Sequence, residues 1–365
     1  MIESVASQSL NIIGCGNIGS HLASLVTRMH QVATLHLIDS GVYEAKDLRH
    51  QDILPGDVGK SKAQVQADRA QRIRPELAVE ASNCRVEDLP LGRLRAAVTL
   101  SCLDTRISRQ FCNEFVHHLG QPWIDAGVSA DGLLVRLNSF RPGPGTPCLE
   151  CSWDDHDYAL LEQKYVCTGE MRTFSTNAPS SLGSLAASLQ AIEAGKILDG
   201  RWDETLVGKE MLLDGRFHHQ YVSKQTVNPL CRFDHQRWLI EPVSAPPQEI
   251  TVEDALGWAG KLLTPEMRVV GQTFSLRRTC LGCGRHYPGL RLSGRLRAED
   301  MTCRGCLEER VLTAGSDSMD YLTGNSGRPI RRMRLSDLGV LPHDILAVGQ
   351  GDVRRYFEVG MLHEG

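Results

Sequence analysis

Two cysteine pairs in the last third of the chain, Cys280-x2-Cys283 and Cys303-x2-Cys306, are separated by nineteen residues. Four thiolates at that spacing clasp one tetrahedral Zn2+. Gly282, Gly284 and Gly305 lie in or beside the two knuckles, where tight turns are needed. Such a site is structural and stabilises a module with little core of its own. A further pair, Cys148-x2-Cys151, supplies two more ligands of the same kind. Near the start of the chain, Gly14-Cys15-Gly16-Asn17-Ile18-Gly19 has the glycine spacing that lets backbone approach a phosphate and aims a helix N-terminus at it. Asp39 lies twenty residues after Gly19, where an acid accepts hydrogen bonds from ribose hydroxyls.

Regular elements must hold these residues. Residues 10–13 and 33–38 are apolar runs on either side of a helical pattern (Leu22, Leu25, Val26, Met29), which reads as a βαβ unit. Residues 61–73 and 105–118 have helical patterns, and 78–80, 96–102, 122–124 and 133–137 read as strands. Strands alternating with helices imply an α/β fold with a parallel, doubly wound, Rossmann-like sheet. A turn-rich break at 141–147 leads to the first cysteine pair, and 181–198 reads as a strong amphipathic helix rich in small residues. The proline-bearing stretch 241–250 reads as a linker between a nucleotide-binding domain, 1–240, and a cysteine-bearing module, 251–365. Within that module, 335–348 has the pattern of a short helix, a turn and a strand, and the arginines from Arg328 to Arg334 read as a solvated face or a dock for an acidic partner.

Composition bounds the function. The 365 residues carry 40 Lys+Arg against 44 Asp+Glu, a formal charge of −4, which argues against coating nucleic acid or an anionic membrane. The sequence has no apolar run long enough to span a bilayer and no basic leader pattern, so a cytoplasmic location is expected. In that compartment twelve cysteines point to metal or catalysis rather than disulfides. Cys15, Cys84, Cys102 and Cys112 fall in expected core elements and read as small hydrophobes.

The order of the motifs is more specific than any one of them. Gly14 to Gly19 and Asp39 are followed by Asp47-Leu48-Arg49-His50-Gln51, then Gly59-Lys60-Ser61-Lys62, then Leu103-Asp104-Thr105 at a strand end. Arg109, Asn113, Pro147-Cys148-x2-Cys151 and the 189–196 segment extend the series. Over residues 10–235 the chain resembles the ThiF/MoeB and ubiquitin-activating enzyme superfamily. The resemblance implies a ThiF-type adenylation domain, in which a protein's C-terminal carboxylate attacks the α-phosphate of ATP and pyrophosphate leaves. It assigns nucleotide contacts to Gly14, Gly16, Gly19, Asp39, Asp47, Lys62, Asp104 and Arg109. It places Arg49, Gln51, Lys62 and Asp104 in the reaction, with Lys62 on phosphate oxygens and Asp104 on Mg2+. Cys167 falls where several members place a cysteine that accepts the activated acyl group or a persulfide.

The resemblance also implies a zinc site that begins at Cys148 and Cys151 and is completed after the long helix. Cys231 stands at that place, and the fourth ligand is His235, giving Cys3His, or Asp234. A ubiquitin-like or sulfur-carrier protein is the implied substrate, a conjugating enzyme a further partner, and a homodimer the implied assembly. This sequence departs from the family at Asp47, where the family has Asn, and at His50, where it has Arg, with Arg49 alongside. Those departures leave room for a degenerate partner subunit or scaffold. Adenylation of a ribosomal peptide would use the same residues. A nucleotide-dependent oxidoreductase shares only the glycine turn.

Overall fold

The computed structural model describes residues 8–162, 178–296, 298–307, 311–313 and 317–361. Its first sheet has eight strands: β1 (Gln8–Ile13), β2 (Val32–Ile38), β3 (Ala78–Ser82), β4 (Val98–Ser101), β5 (Trp123–Ser129), β6 (Leu134–Phe140), β7 (Lys209–Asp214) and β8 (His219–Lys224). They lie in the order β3-β2-β1-β4-β5-β6-β7-β8. The strands from β3 to β5 are parallel, and those from β6 onward pair antiparallel. The wholly parallel sheet expected from the alternating pattern is therefore corrected to a mixed one. The cause is local: β5 and β6 are joined by a tight turn with Leu133 at φ 49°, too short to carry a crossover helix.

Strands buried on both faces are near-continuously apolar, as Leu10, Ile12, Ile13, Leu35, Leu37 and Ile38 show. Helix α1 (Asn17–Val26) follows β1, α2 (Lys62–Ile73) precedes β3, and α3 (Arg106–Leu119) follows β4. Helix α4 (Asp155–Glu162) lies in the segment read only as polar. Helix α5 (Ser180–Leu198) lies where a helix was expected but is less one-sided than the amphipathic pattern suggested. It buries Leu182, Gly183, Ala186, Ala187, Gln190 and Ala194 yet exposes Ile192. Small residues let it approach α1 closely, since a Cβ on Gly183 would lie 1.9 Å from Asn17 Oδ1.

The chain divides into two compact units, Met1–Val86 with Leu94–Arg237, and Glu87–Arg93 with Trp238–Gly365. The second takes a short segment from within the stretch read as one domain. Its anchors are backbone and side-chain hydrogen bonds: Gly92 N donates to His343 O at 2.8 Å, and Gln272 Nε2 to Glu87 O at 2.6 Å.

In this second unit β9 (Ile240–Val243), β10 (Glu266–Val269), β15 (Leu322–Thr323), β16 (Ile345–Gln350) and β17 (Val353–Val359) form a sheet in the order β15-β10-β16-β17-β9. The expected linker thus contains a strand. Pro242 is tolerated because β9 is an edge, paired among the described residues only with β17. A smaller sheet holds β11 (Phe274–Cys280), β12 (His286–Leu292), β13 (Val311–Thr313) and β14 (Ser318–Met319). Helix α6 (Val252–Gly257) is capped by Thr251, whose hydroxyl accepts from Asp254 N. The unit has a core of its own, with Val252, Met267, Phe274, Leu335, Leu346 and Val348 buried, so it does not depend on a metal for all its packing. The expected helix after Leu335 is a turn that leads to β16. Arg331 pairs with Glu253 and Arg334 donates to Glu249 O, so the arginine cluster is partly tied to its own unit.

Gln190 of α5 reaches the sheet, where Nε2 donates to Ser101 O at 3.1 Å and to Ile124 O at 3.0 Å. Replacing it leaves buried carbonyls without that donor. Gln190→Leu is expected to cost about 2 kcal/mol in a urea unfolding series.

Candidate functional site

The strand order reverses between β1 and β4, and in an open α/β sheet the crevice at such a switch point is where ligands bind. Gly14 sits there at φ +93°, its N–H bonded to Ile38 O at 2.8 Å, while Cys102 N donates to Ile13 O at 2.8 Å. The three glycines of the turn do different work. A Cβ on Gly14 would lie 2.6 Å from Cys102 O, and one on Gly19 would lie 1.9 Å from Gly14 O. Those two are required by the packing of the chain on itself. A Cβ on Gly16 would meet nothing within 4 Å, so that space is left open. Gly16 is also the N-cap of α1 and offers no side-chain cap, so the first N–H groups of the helix face this opening.

Asp39 ends β2 and fixes the turn: one oxygen accepts from Cys15 N at 2.7 Å and the other from Gly41 N at 2.7 Å. An ionised carboxylate has about four acceptor positions, so it retains capacity for a ligand hydroxyl. Tyr43, which the sequence did not single out, supports the turn from below, donating to Cys15 O at 2.8 Å and accepting from Gln66 Nε2 at 2.9 Å. Burial, first, pushes the Tyr43 phenol well above its usual range, so it stays a donor.

Lys62 Nζ stands 5.3 Å from the Tyr43 ring centroid, 3.3 Å from Gln51 Oε1 and 3.5 Å from Asp47 Oδ2. Its stem crosses Gly41, where a Cβ would be 3.3 Å from the lysine carbons. Asp47 is 4% exposed and also accepts from Gln51 Nε2 at 2.7 Å and Glu44 N at 2.9 Å. Arg49 is exposed, and His50 has a buried Nδ1 with no partner among the described residues. Asp104, just past β4, is exposed and makes no hydrogen bond or ion pair among the described residues.

Arg109, assigned to the nucleotide by resemblance, is turned inward. Its Nη2 donates to Leu103 O at 2.7 Å and its Nη1 lies 3.4 Å from Asp125, which is fully buried and also paired with Arg136 at 3.3 Å. It braces the peptide before Asp104. Cys167 lies outside the described residues.

The structure brings Cys148, Cys151, Cys231 and His235 together, with all ligand atoms within 4.8 Å of one another, and does the same for Cys280, Cys283, Cys303 and Cys306. Neighbouring sulfur separations are 3.8 Å and 3.7 Å in the first cluster and 3.6 Å and 3.5 Å in the second. The edge of a tetrahedron with metal–sulfur bonds of about 2.3 Å is about 3.8 Å, so both sets fit a zinc-sized ion. His235 Nε2 is 3.1 Å from Cys151 Sγ, and the residue holds φ 56°, a conformation rare outside glycine. Asp234 bonds Gln236 N and lines the cavity next door instead.

Each cluster has supports the sequence did not reveal. Asn113 accepts from Leu149 N at 2.8 Å and donates to buried Glu150, which fixes the first knuckle to α3. Tyr287 donates to Cys303 Sγ at 3.0 Å, and that bond, first, holds the Cys303 thiol down to about 5.

Beside the first cluster lies a cavity of about 430 Å3 lined by Gln110, Glu114, His118, Glu150, Tyr158 and Asp234, among others. Burial, then Glu150 and Asp234, push the Glu114 carboxyl up to about 7 from 4.5. A raised acid favours the folded state below its ordinary range, and that contribution is lost as pH rises through 7. Glu114→Gln is therefore expected to stabilise the protein by about 1 kcal/mol at pH 8, after allowance for solvent, and to be neutral at pH 4. Urea midpoints at the two pH values check this.

Three comparisons with known proteins bear on the site. The sequence profile of the ThiF family matches residues 2–233. A sulfur carrier protein ThiS adenylyltransferase of Escherichia coli (strain K12) is 31% identical over 208 residues, covering 56% of this chain and 77% of its own. The ubiquitin-like modifier-activating enzyme 5 of Oryza sativa subsp. japonica is 25% identical over 207 residues, covering 51% of this chain. The chain spans about half the length of that relative, 47%. Among solved structures, E. coli MccB with ATP superposes with a TM-score of 0.52 at 22% identity, over 62% of this chain and 65% of that one, a likeness of fold.

Proposed function

The chain belongs to the ThiF family, and on that premise we propose that it is an ATP-dependent adenylyltransferase acting on the C-terminal carboxylate of a ubiquitin-like or sulfur-carrier protein. The observation that carries the reading is the opening at Gly16. The turn leaves open space at Gly16, at the uncapped N-terminus of α1, with a lysine and a ribose-competent acid nearby. A phosphate chain answers each of those features.

In the reaction a carboxylate oxygen attacks the α-phosphorus, and the bond to the bridging oxygen of pyrophosphate breaks. Positioning and charge stabilisation supply most of the catalysis. The N–H groups at α1 and the ammonium of Lys62 meet phosphate oxygens, Gln51 and Asp47 orient that lysine, and Asp39 takes a ribose hydroxyl. Arg49 is the exposed cation available where the family arginine is replaced by His50. Asp104, free of internal partners among the described residues, is the carboxylate we assign to Mg2+, a hard ion that offsets phosphate charge when bound. By resemblance Cys167 is the candidate acceptor of the activated acyl group.

We assign structural zinc to both cysteine clusters, because their donor sets and spacings suit it. No disulfide links the cysteines among the described residues, and a cytoplasmic location is the one we propose. No helix among the described residues is long and apolar enough to cross a membrane. A homodimer is the assembly proposed from the family. A peptide C-terminus is the second substrate reading, favoured by the likeness in fold to MccB, solved in complex with N-formylated MccA.

Gly16→Ala is expected to bind ATP at least about tenfold more weakly, by calorimetry, because the new side chain enters the open space at the turn, and to melt slightly lower because ψ −140° suits glycine better than an L-residue. Lys62→Ala should lower pyrophosphate exchange into ATP by about 100-fold in the presence of the substrate protein. Metal analysis should return two zinc per chain, falling by one in Cys231→Ser and by one in Cys306→Ser.

A further inference from the structure

The five-stranded sheet of the second unit packs one face into its core and leaves the other partly open. Met267, Val269, Leu346, Val348 and Phe357 are buried on the inner face. Side chains alternate along a strand, so Arg268, Ala347 and Tyr356 share the outer face. They stand in one row: Arg268 is opposite Ala347, and Ala347 is opposite Tyr356. Arg354, two residues before Tyr356, lies on the same face one row along, opposite Gly349. The central strand thus offers only small residues between an arginine on one side and an arginine and a tyrosine on the other. A cavity of about 330 Å3 lies over this floor, walled by Trp238, Arg268, Gln272, Asp320, Arg354 and Tyr356. Trp238 and Tyr356 stack with centroids 4.2 Å apart at 10°.

The arginines are incompletely used. Arg268 Nε is buried with no hydrogen-bond partner among the described residues, and its nearest carboxylate, Glu266, approaches another nitrogen only to 3.8 Å. The guanidinium lies over the Tyr321 ring at 5.1 Å, which fixes its plane. Arg354 makes no ion pair or hydrogen bond among the described residues. The unpaired Nε leaves the Arg268 guanidinium only partly neutralised by its own unit.

We propose that this trough binds an acidic, extended polypeptide segment of a partner protein. A carboxylate of the segment takes the terminal Nη groups of Arg268 and Arg354, and an apolar side chain lies against Tyr356 and Trp238. Planar guanidinium forks match carboxylate geometry. Asp320 on the wall is an acceptor for a peptide N–H and repels a phosphate dianion more than a single carboxylate, which favours a peptide over a nucleotide or nucleic acid. These arginines are separate from the Arg328 to Arg334 cluster, and the proposal goes beyond the adenylation reading.

The test uses the full chain and a fluorescein-labelled decapeptide of alternating Glu and Phe, followed by anisotropy, with a Lys-for-Glu peptide as its counterpart. Saturable binding of the acidic peptide is expected with Kd below about 1 mM, weakened at least about tenfold in Arg354→Gln and in Arg268→Gln. The basic peptide should not saturate. Arg354 stands on an open face, so its variant should melt and bind ATP as the wild type does. Equal binding of both peptides, unchanged affinity in Arg354→Gln, no saturation by the acidic peptide, or its displacement by a single-stranded oligonucleotide at lower concentration would each overturn the proposal. Loss of ATP binding by the wild-type chain with peptide binding intact would count against the adenylation reading alone.

Discussion

The structure of the first unit hangs on a contact between backbone atoms. Gly19 lies so near Gly14 O that no side chain fits between them, and Gly14 is pressed against Cys102 O in the same way. This close approach joins the ends of β1 and β4 to the start of α1. Once it is made, the direction of α1 is fixed, and its first N–H groups point along the switch-point crevice. Asp39 then ties the turn to the end of β2, and Tyr43 ties it to Gln66 on α2. Lys62 lies close over Gly41, where a side chain would crowd its stem. Glycines at 14, 19 and 41 thus shape the crevice beside this lysine.

The two cysteine clusters answer different structural needs. The first joins parts of the chain far apart in sequence, since Cys148 and Cys151 meet Cys231 and His235 about eighty residues later. Its knuckle is buried against α3 through Asn113 and Glu150, so a bound ion would cross-link elements that already have a core around them. The second sits in a small sheet whose buried apolar cluster is little more than Cys280, Cys303 and Val311. There the knuckle geometry, with Gly305 N and Tyr287 directed at Cys303, supplies order that apolar packing cannot.

What could be read from the sequence was what is local. The glycine turn, Asp39 and the paired cysteines declare themselves by spacing within one turn or one βαβ unit, and each lies where that spacing implies. Relations carried by distant partners were not legible. β9 was hidden in a proline-bearing stretch because its hydrogen bonds come from β17, over a hundred residues later. The short segment Glu87–Arg93 leaves its neighbours for the second unit because its acceptors and donors are His343, Gln272 and Arg295. Tyr43, Gln190 and Tyr287 are single polar residues with no periodicity to mark them, and their roles exist only in the folded arrangement. Arg109 was marked by its motif position, but its internal partners, Asp125 and Leu103, could not be read from the sequence.

The replacement of an asparagine by Asp47 changes the electrostatics of the crevice. A buried carboxylate is tolerated only when its charge and lone pairs are met, and here Lys62, Gln51 and Glu44 N meet them. The lysine is consequently held in place before any ligand arrives, which lowers the ordering cost of binding. The same pairing means that a ligand drawing on Lys62 must compete with an internal anion already in contact. A singly charged ligand gains little by that exchange. The triphosphate proposed above would present several charges at once to the ammonium and to the N-terminus of α1. Under the proposed function, this carboxylate therefore favours a multiply charged ligand over a singly charged one.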